Sequence, residues 1–496
     1  MLRSANLKLF VFKIINKKAW IIPATIIIVA AIIRFYSLGV HSLWIDEGTS
    51  WYTSKLFSLK NLWVDRIRAG HFPFYFIFLK FWMMVFGDSE ISLRFPSLIA
   101  SIISLFLFFN INKTALNRNI ARWVTLAIFS FSVYGLTISQ EARMYSAALL
   151  FFLLLVFLLF KLINYYPKYS YLYIFSLAAF LLNGSVVIIP YLGILLFLLI
   201  NFKNKIHRKV SFITIVTSIP FLPLYFLILT RAANVERNLY YLDNQFNFKS
   251  QLFNIFGWIL RFFKDITGFS EVSFYNLSYN MTLVYFTIFS LFALIALIGL
   301  LKLSKEYRLL SLALIVTSLA PLFIAYKFES RYFFYLFPFM VIGWGRVIEM
   351  VSKSKKRFFL AFIILWGAVY INDTILYFKN PKSVWADISN YIEKNESPGD
   401  EIWLLPEFSL GAFGYYYHGG SEIVRVIPGG KLKIKEGADI WYLVWSNVKL
   451  PWVWGDAAIV LDSSLKRYLY FKLDLKTSEY FVTKNGEVEL HHYKWK

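Results

Sequence analysis

Residues 145–163 read YSAALLFFLLLVFLLFKLI, an apolar run of the length that crosses a lipid bilayer as a single helix. Similar runs recur along the chain of 496 residues, of which 58% are hydrophobic and only 16% are charged. The mean hydropathy is +0.57. The sequence therefore predicts a polytopic integral membrane protein. It excludes a soluble enzyme, a secreted disulfide scaffold and a disordered chain. Because cysteine is absent, a thiolate nucleophile and a cysteine-ligated metal are excluded as well.

Apolar runs of this kind predict about eleven spans. They lie near 19–38, 95–111, 120–137, 145–163, 171–183, 187–202, 210–230, 280–301, 309–326, 332–351 and 358–378. The first run is long and is followed by no small-residue cleavage site, so we predict a span and not a signal peptide. The turn at Asn183-Gly184-Ser185 leaves open whether 171–202 is one broken span or two short ones.

A further apolar segment, residues 73–87, is short and carries Lys80 at its centre. A cation at the middle of a bilayer costs about 2.5–3.5 kcal/mol on insertion scales. Aromatic residues around one lysine are typical of a helix lying in the membrane interface. We predict such a juxtamembrane helix here.

The formal net charge of +23 follows the predicted topology. With 73–87 at the interface, the predicted cytoplasmic segments hold 21 basic residues and one acidic residue, whereas the outer segments hold 29 and 26. This asymmetry is the positive-inside pattern, and it indicates contact with membrane lipids and no nucleic acid. We predict a multi-pass protein of the cell membrane with a cytoplasmic N-terminus and an extracytoplasmic C-terminal region.

The chain divides in composition near residue 378. We predict an all-α membrane domain over 1–378 and a small extracytoplasmic α/β domain over 379–496. The second region is rich in charge, and a predicted helix at 382–395 precedes several strand-like runs. These runs are EIWLLPE, EIVRVIP, DIWYLVW, AAIVLD and YFVT.

Four polar clusters fall on the predicted outer side. Asp46 and Glu47 follow the first span, His71 precedes Pro73 at the start of the interfacial helix, Glu141, Arg143 and Tyr145 occupy a short turn, and Lys327, Arg331 and Tyr332 form another turn. Carboxylates at such a boundary suit a general base or a cation ligand, and arginine suits phosphate binding. The alternatives are a solvated loop, a packing histidine, a local Glu–Arg pair and interface anchors. Because all four clusters lie on the same predicted side of the membrane, they favour a reaction centre at the outer leaflet.

The order of these clusters resembles the GT-C superfamily of membrane glycosyltransferases, in particular the protein O-mannosyltransferases and the lipid A aminoarabinose transferase. The matching motifs are Asp46-Glu47 after the first span, His71-Phe72-Pro73, Phe86-Gly87 followed by Arg94-Phe95-Pro96-Ser97, the stretch Ser139–Tyr145, and Arg331-Tyr332 before Pro338. The resemblance covers residues 19 to 350.

The resemblance implies transfer of a sugar from a polyprenyl-phosphate donor to an extracytoplasmic acceptor (a protein, a lipid or a cell-envelope glycan), usually with inversion. Asp46 would deprotonate the acceptor, Glu47 being its neighbouring alternative, and Glu141 would orient a substrate. The donor phosphate would be bound by His71, Arg143 and Arg331. Tyr145, Lys327 and Tyr332 are predicted substrate-binding residues as well, Lys327 from its place beside Arg331 in the same turn.

Two departures from the family pattern leave the cofactor open. The motif here is His-Phe-Pro and not His-Pro-Pro, and Gly70 stands where the aminoarabinose branch has an acidic residue. A divalent cation is therefore an open question, and no organic cofactor is expected. Two other classes of function are a lipid-linked sugar flippase or transporter, which needs polar groups at the membrane midplane, and an envelope scaffold.

Overall fold

A computed structural model describes most of the chain. The described residues are 20–240, 279–324, 333–351, 356–379, 383–405, 409–426, 434–446, 465–467, 469, 473–483 and 486–495. Lys327, Arg331, Tyr332 and the predicted strand AAIVLD therefore lie outside the described residues.

Helices occupy nearly all of the predicted spans, with ends that differ by a few residues. In the first half they cover Trp20–Phe35, Ile45–Leu56, Leu59–Arg68, Phe74–Phe86, Glu90–Ala115, Asn119–Phe131, Val133–Ser139, Tyr145–Asn164, Ser170–Leu181, Ile188–Ile200, Lys205–Ser218 and Leu222–Tyr240. Later helices cover Tyr279–Leu301, Lys305–Ile324, Leu336–Met350, Lys356–Lys379, Trp385–Asn395 and Leu410–Tyr416. The prediction of a mainly helical chain is confirmed.

Two breaks interrupt the long helices. The predicted span 120–137 bends by 50° between Asn119–Phe131 and Val133–Ser139. Ser132 adopts an extended backbone there, and its hydroxyl accepts a hydrogen bond from Gly135 N at 3.1 Å, which starts the second helix. The segment 171–202 forms two helices, because Gly184 adopts a φ of 129° that other residues disfavour.

Three helical stretches in the described part of the chain have the length and apolar composition of membrane spans. They are Glu90–Ala115, Tyr145–Asn164 and Lys205–Arg231, and the bent pair would be a fourth. The remaining apolar helices are shorter, so the total of eleven spans stays a prediction.

The helix Phe74–Phe86, here called the surface helix, has 13 residues. Its length of about 20 Å is less than the hydrocarbon thickness of about 30 Å. Lys80 points from this helix to the end of Ile45–Leu56, where its ammonium donates to Ser54 O at 3.1 Å and Phe57 O at 2.9 Å. A cation at a helix C-terminus binds carbonyls that have no partner within the helix. Lys80 thus joins two helices of the segment 39–94.

The C-terminal region forms a five-stranded sheet in the order β2-β1-β3-β5-β4. The strands are β1 Glu401–Leu405, β2 Glu422–Arg425, β3 Ile440–Ser446, β4 Leu473–Thr483 and β5 Gly486–Trp495. β1 is parallel to β2 and β3, and β5 is antiparallel to β3 and β4. Successive side chains of a strand point to opposite faces of the sheet. Ile402 and Leu404 of β1 are buried under helices on one face, and Trp403 and Leu405 are buried on the other face. This confirms a small α/β fold.

The chain forms two compact units. One comprises the described residues within Met1–Tyr36, Phe95–Tyr225 and Lys249–Leu376, and the other those within Ser37–Arg94, Phe226–Phe248 and Tyr377–Lys496. The segment 39–94, which contains the carboxylates Asp46 and Glu47, therefore belongs to the same compact unit as the C-terminal sheet. The domain boundary at 378 stays a prediction based on composition.

We expect Lys80→Met to loosen the end of helix Ile45–Leu56, because Ser54 O and Phe57 O lose their donor. Loss of a cation at a helix C-terminus costs about 0.3–1 kcal/mol. Hydrogen exchange of the purified protein should rise in residues 52–57. Lys60→Met, at an exposed lysine of the neighbouring helix, is the control. Equal exchange in the two variants would contradict the assigned role of Lys80.

Candidate functional site

The helix Ile45–Leu56, here called the carboxylate helix, carries Asp46 and Glu47 in its first turn. A negative charge is favourable there because of the helix dipole and the unpaired backbone N–H groups. Asp46 is partly buried, whereas Glu47 is fully buried. The two adjacent carboxylates therefore occupy different surroundings.

Glu47 forms a bidentate ion pair with Arg94, which also is buried. Arg94 Nε donates to Glu47 Oε1, and Arg94 Nη2 donates to Glu47 Oε2, each at 2.8 Å. Glu47 Oε2 also accepts from Trp44 N at 3.3 Å, as a glutamate in a capping position does. These bonds occupy both oxygens of the Glu47 carboxylate.

The guanidinium of Arg94 also organises the chain that leads to the carboxylate helix. Its Nη1 donates to Leu38 O at 2.8 Å and to His41 O at 2.9 Å, and its Nη2 donates to Ser42 O at 3.3 Å. A planar fork with five donors can serve a carboxylate and several carbonyls at once. The turn between the first span and the carboxylate helix is thus built around one side chain. Arg94 begins the motif Arg94-Phe95-Pro96-Ser97, but its pairing with Glu47 was not predicted from the sequence.

His71 lies in the same unit, at the turn before the surface helix. Its backbone N–H donates to Arg66 O at 2.8 Å, and Gly70 before it adopts a φ of 74°. The His71 side chain is partly buried, with its ring centroid 6.3 Å from that of Phe76. The buried guanidinium of Arg66 lies 5.0 Å from the centre of the Phe76 ring.

Glu141, Arg143 and Tyr145 lie in the other compact unit. All three are buried, with exposures of 6%, 4% and 2%. The turn is fixed by Gln140, whose Nε2 donates to Arg34 O at 2.8 Å and to Tyr36 O at 2.7 Å. Ser97 Oγ donates to Arg143 O at 3.2 Å. This turn is therefore anchored to the end of the first helix and to the helix Glu90–Ala115.

The structure thus brings Asp46, Glu47 and His71 into one unit and Glu141, Arg143 and Tyr145 into the other. Lys327, Arg331 and Tyr332 lie outside the described residues. The convergence of Asp46, His71, Glu141 and Arg331 in one cavity stays a prediction. In the described part of the chain, no three His, Asp or Glu side chains come together as a metal site.

Known proteins were compared with this chain at the levels of sequence and fold. Residues 70–230, which include His71 and the Glu141 turn, match the family model "Dolichyl-phosphate-mannose-protein mannosyltransferase". No curated protein matches the sequence significantly.

Two similar solved structures are of ArnT from Cupriavidus metallidurans. The apo state has a TM-score of 0.53 at 11% identity and covers 96% of this chain and 98% of ArnT. The state bound to undecaprenyl phosphate has a TM-score of 0.49 at 11% identity, and the match covers 94% of this chain and 97% of ArnT. The family match and the apo-state fold confirm the resemblance to the GT-C superfamily of membrane glycosyltransferases.

We expect Arg94→Met to destabilise the protein, since it leaves the Glu47 carboxylate buried without its partner. Breaking a buried pair in this way costs about 3–5 kcal/mol. The measurement is thermal unfolding of the purified protein. The control is Lys55→Met, which removes an ion pair with Asp88 whose side chains are 47% and 34% exposed, and such a pair contributes at most about 1 kcal/mol.

The variants Glu47→Gln and Arg94→Met also form a double-mutant cycle. Because the two side chains bind each other directly, the double variant should lose less stability than the sum of the two single losses. Strict additivity would show that the pair contributes nothing to folding.

Proposed function

We propose that this chain transfers a sugar from a polyprenyl-phosphate-linked donor to an acceptor on the extracytoplasmic side of the membrane. The match of residues 70–230 to the mannosyltransferase family model carries this proposal. The family description names a polyprenyl phosphate donor, dolichyl-phosphate mannose, and the solved ArnT binds undecaprenyl phosphate. The charge asymmetry of the sequence supports a cell-membrane protein with a cytoplasmic N-terminus and an external C-terminal domain.

The reaction is a displacement at the anomeric carbon of the donor sugar. Asp46 takes the proton of an acceptor hydroxyl as its oxygen attacks the anomeric carbon, while the bond to the phosphate oxygen breaks. Polyprenyl phosphate leaves with the bonding electrons, and the anomeric configuration inverts. The pairing of Glu47 with Arg94 supports Asp46 as the base, because a carboxylate with two charge-assisted hydrogen bonds is a weaker proton acceptor.

The phosphate of the donor gains negative charge as the bond breaks. Arg143, Arg331 and His71 are proposed to bind this phosphate, Lys327 to assist them, and Glu141, Tyr145 and Tyr332 to orient the substrates. Cations placed where charge develops lower the barrier to reaction. A flippase of lipid-linked sugars is the alternative, and it would use the same lipid without forming a product.

We expect Asp46→Asn to abolish sugar transfer without loss of folding, because an amide does not accept the hydroxyl proton. Cells that lack the protein are complemented with wild type or variant, and envelope glycans and glycoproteins are compared by mass spectrometry. A hexose-sized or pentose-sized mass difference restored by wild type identifies the acceptor class. Asp387→Asn is the control, since Asp387 also lies in a helix first turn and is exposed.

Full restoration by Asp46→Asn would exclude Asp46 as the base. Translocation of a lipid-linked sugar by reconstituted vesicles, with no product in cells, would favour the flippase. Glu47→Gln serves as a further comparison, because its effect should come with a lowered melting temperature and that of Asp46→Asn should not.

A further inference from the structure

The helix Leu410–Tyr416 of the C-terminal sheet domain packs on the carboxylate helix within one compact unit. We call it the docking helix. The backbones of the two helices meet at a glycine on each side, Gly48 and Gly411. A Cβ atom built on Gly411 would lie 2.6 Å from Gly48 O and 2.7 Å from Gly48 C. One built on Gly48 would clash with the backbone of Ala412. The two helices therefore approach as closely as their backbones allow.

Both glycines lie in helices, where glycine is less favourable than alanine. The close approach accounts for them, because any larger residue forces the helices apart. Gly414, one turn further along the docking helix, is different. A Cβ there would meet only Leu410 Cδ1, at the ordinary contact distance of 3.9 Å. The need for glycine is thus specific to the contact with the carboxylate helix.

Two successive tyrosines extend the contact. Tyr416 Oη accepts a hydrogen bond from Leu43 N at 2.7 Å, two residues before the carboxylate helix begins. Burial raises the pKa of Tyr416 above its ordinary value, so the phenol stays neutral. Tyr415 Oη donates to Asp88 O at 2.9 Å, and its ring packs edge-on against Trp51 with centroids 5.0 Å apart.

The same stretch is held from a second direction by the start of helix Trp385–Asn395. Ser383 Oγ donates to Leu43 O at 2.9 Å, and Ala386 N donates to Ser42 Oγ at 3.4 Å. Ile45 packs against the apolar core between this helix and the sheet. Both backbone hydrogen-bonding groups of Leu43 are therefore bound by side chains of the C-terminal domain.

We propose that the C-terminal domain positions the Asp46 turn, with Gly411 and Tyr416 as the positioning residues. These residues do not touch the substrates. They act through the backbone of residues 42–48, which carries Asp46. The contact between the two helices is a property of the fold and does not depend on the proposed function. Only its effect on sugar transfer rests on the proposed function.

The docking is tested with Gly411→Ala and the matched control Gly414→Ala, which makes the same change in the same helix. Hydrogen exchange of residues 41–56 is measured in the purified full-length protein. We expect faster exchange in Gly411→Ala and wild-type exchange in Gly414→Ala. Tyr416→Phe, which removes the acceptor for Leu43 N, should raise exchange at residues 42–45 and serves if Gly411→Ala does not fold. Unchanged exchange in both Gly411→Ala and Tyr416→Phe would overturn the proposal.

The effect on function is tested by separating binding from transfer. Undecaprenyl phosphate is the binding probe, and the transfer rate is the incorporation of sugar into envelope material by complemented cells carrying equal amounts of protein. We expect unchanged binding of the probe and a roughly tenfold to hundredfold slower transfer, because small displacements of a catalytic group have effects of this size. A loss of folded protein would instead reduce binding and transfer together.

A variant with faster exchange but wild-type transfer would show that the docking does not serve catalysis. If wild type itself produces no sugar-dependent change in the envelope, the proposed function fails. The exchange measurements then still decide whether the C-terminal domain holds the carboxylate helix.

Discussion

The buried ion pair between Arg94 and Glu47 is the constraint on which the segment 39–94 depends. A guanidinium in a buried site requires partners for its donors, because an unpaired charge there is very costly. Arg94 finds them in one carboxylate and three backbone carbonyls between Leu38 and Ser42. The chain has to wrap around this side chain, and the wrapping fixes where the carboxylate helix starts.

Backbone polar groups also find partners at the two ends of the carboxylate helix. Lys80 binds the carbonyls at the C-terminal end of the carboxylate helix, and Tyr416 binds the N–H of Leu43 before its start. Side chains from distant parts of the sequence thus satisfy the backbone groups that helix ends leave unpaired. A segment that the sequence presents as a loop is held at both ends. Asp46 and Glu47 therefore lie on a segment whose backbone is held at both ends.

Local patterns in the sequence predicted the helices well. The apolar run 145–163 corresponds to the helix Tyr145–Asn164, and the short run with Lys80 corresponds to Phe74–Phe86. The length of an apolar run and the presence of one lysine within it are properties of consecutive residues. Both can therefore be recognised from the sequence alone. The bend at Ser132 was not predicted, because a serine within an apolar run also is compatible with a straight helix. β5 was missed, since its alternating Val488 and Leu490 are surrounded by charged and histidine residues.

The candidate site was predicted only in part for a different reason. Asp46 and Glu47 are neighbours in sequence, and their different surroundings depend on Arg94, which lies 47 residues after Glu47. The partners of Tyr415, Tyr416 and Tyr417 likewise could not be predicted from the sequence of the run. Its members bind Asp88, Leu43 and Glu396, and two of these lie more than 300 residues away. Pairings over such distances follow from the tertiary fold and leave no trace in local spacing.

The bond between Tyr416 and Leu43 joins residues that are 373 positions apart. Synthesis proceeds from the N-terminus, so the carboxylate helix emerges long before its docking partner exists. Until the C-terminal sheet has been made and folded, Leu43 lacks its hydrogen bonds with Tyr416 and Ser383. The start of the carboxylate helix is therefore held by its full set of partners only after the C-terminal region has folded.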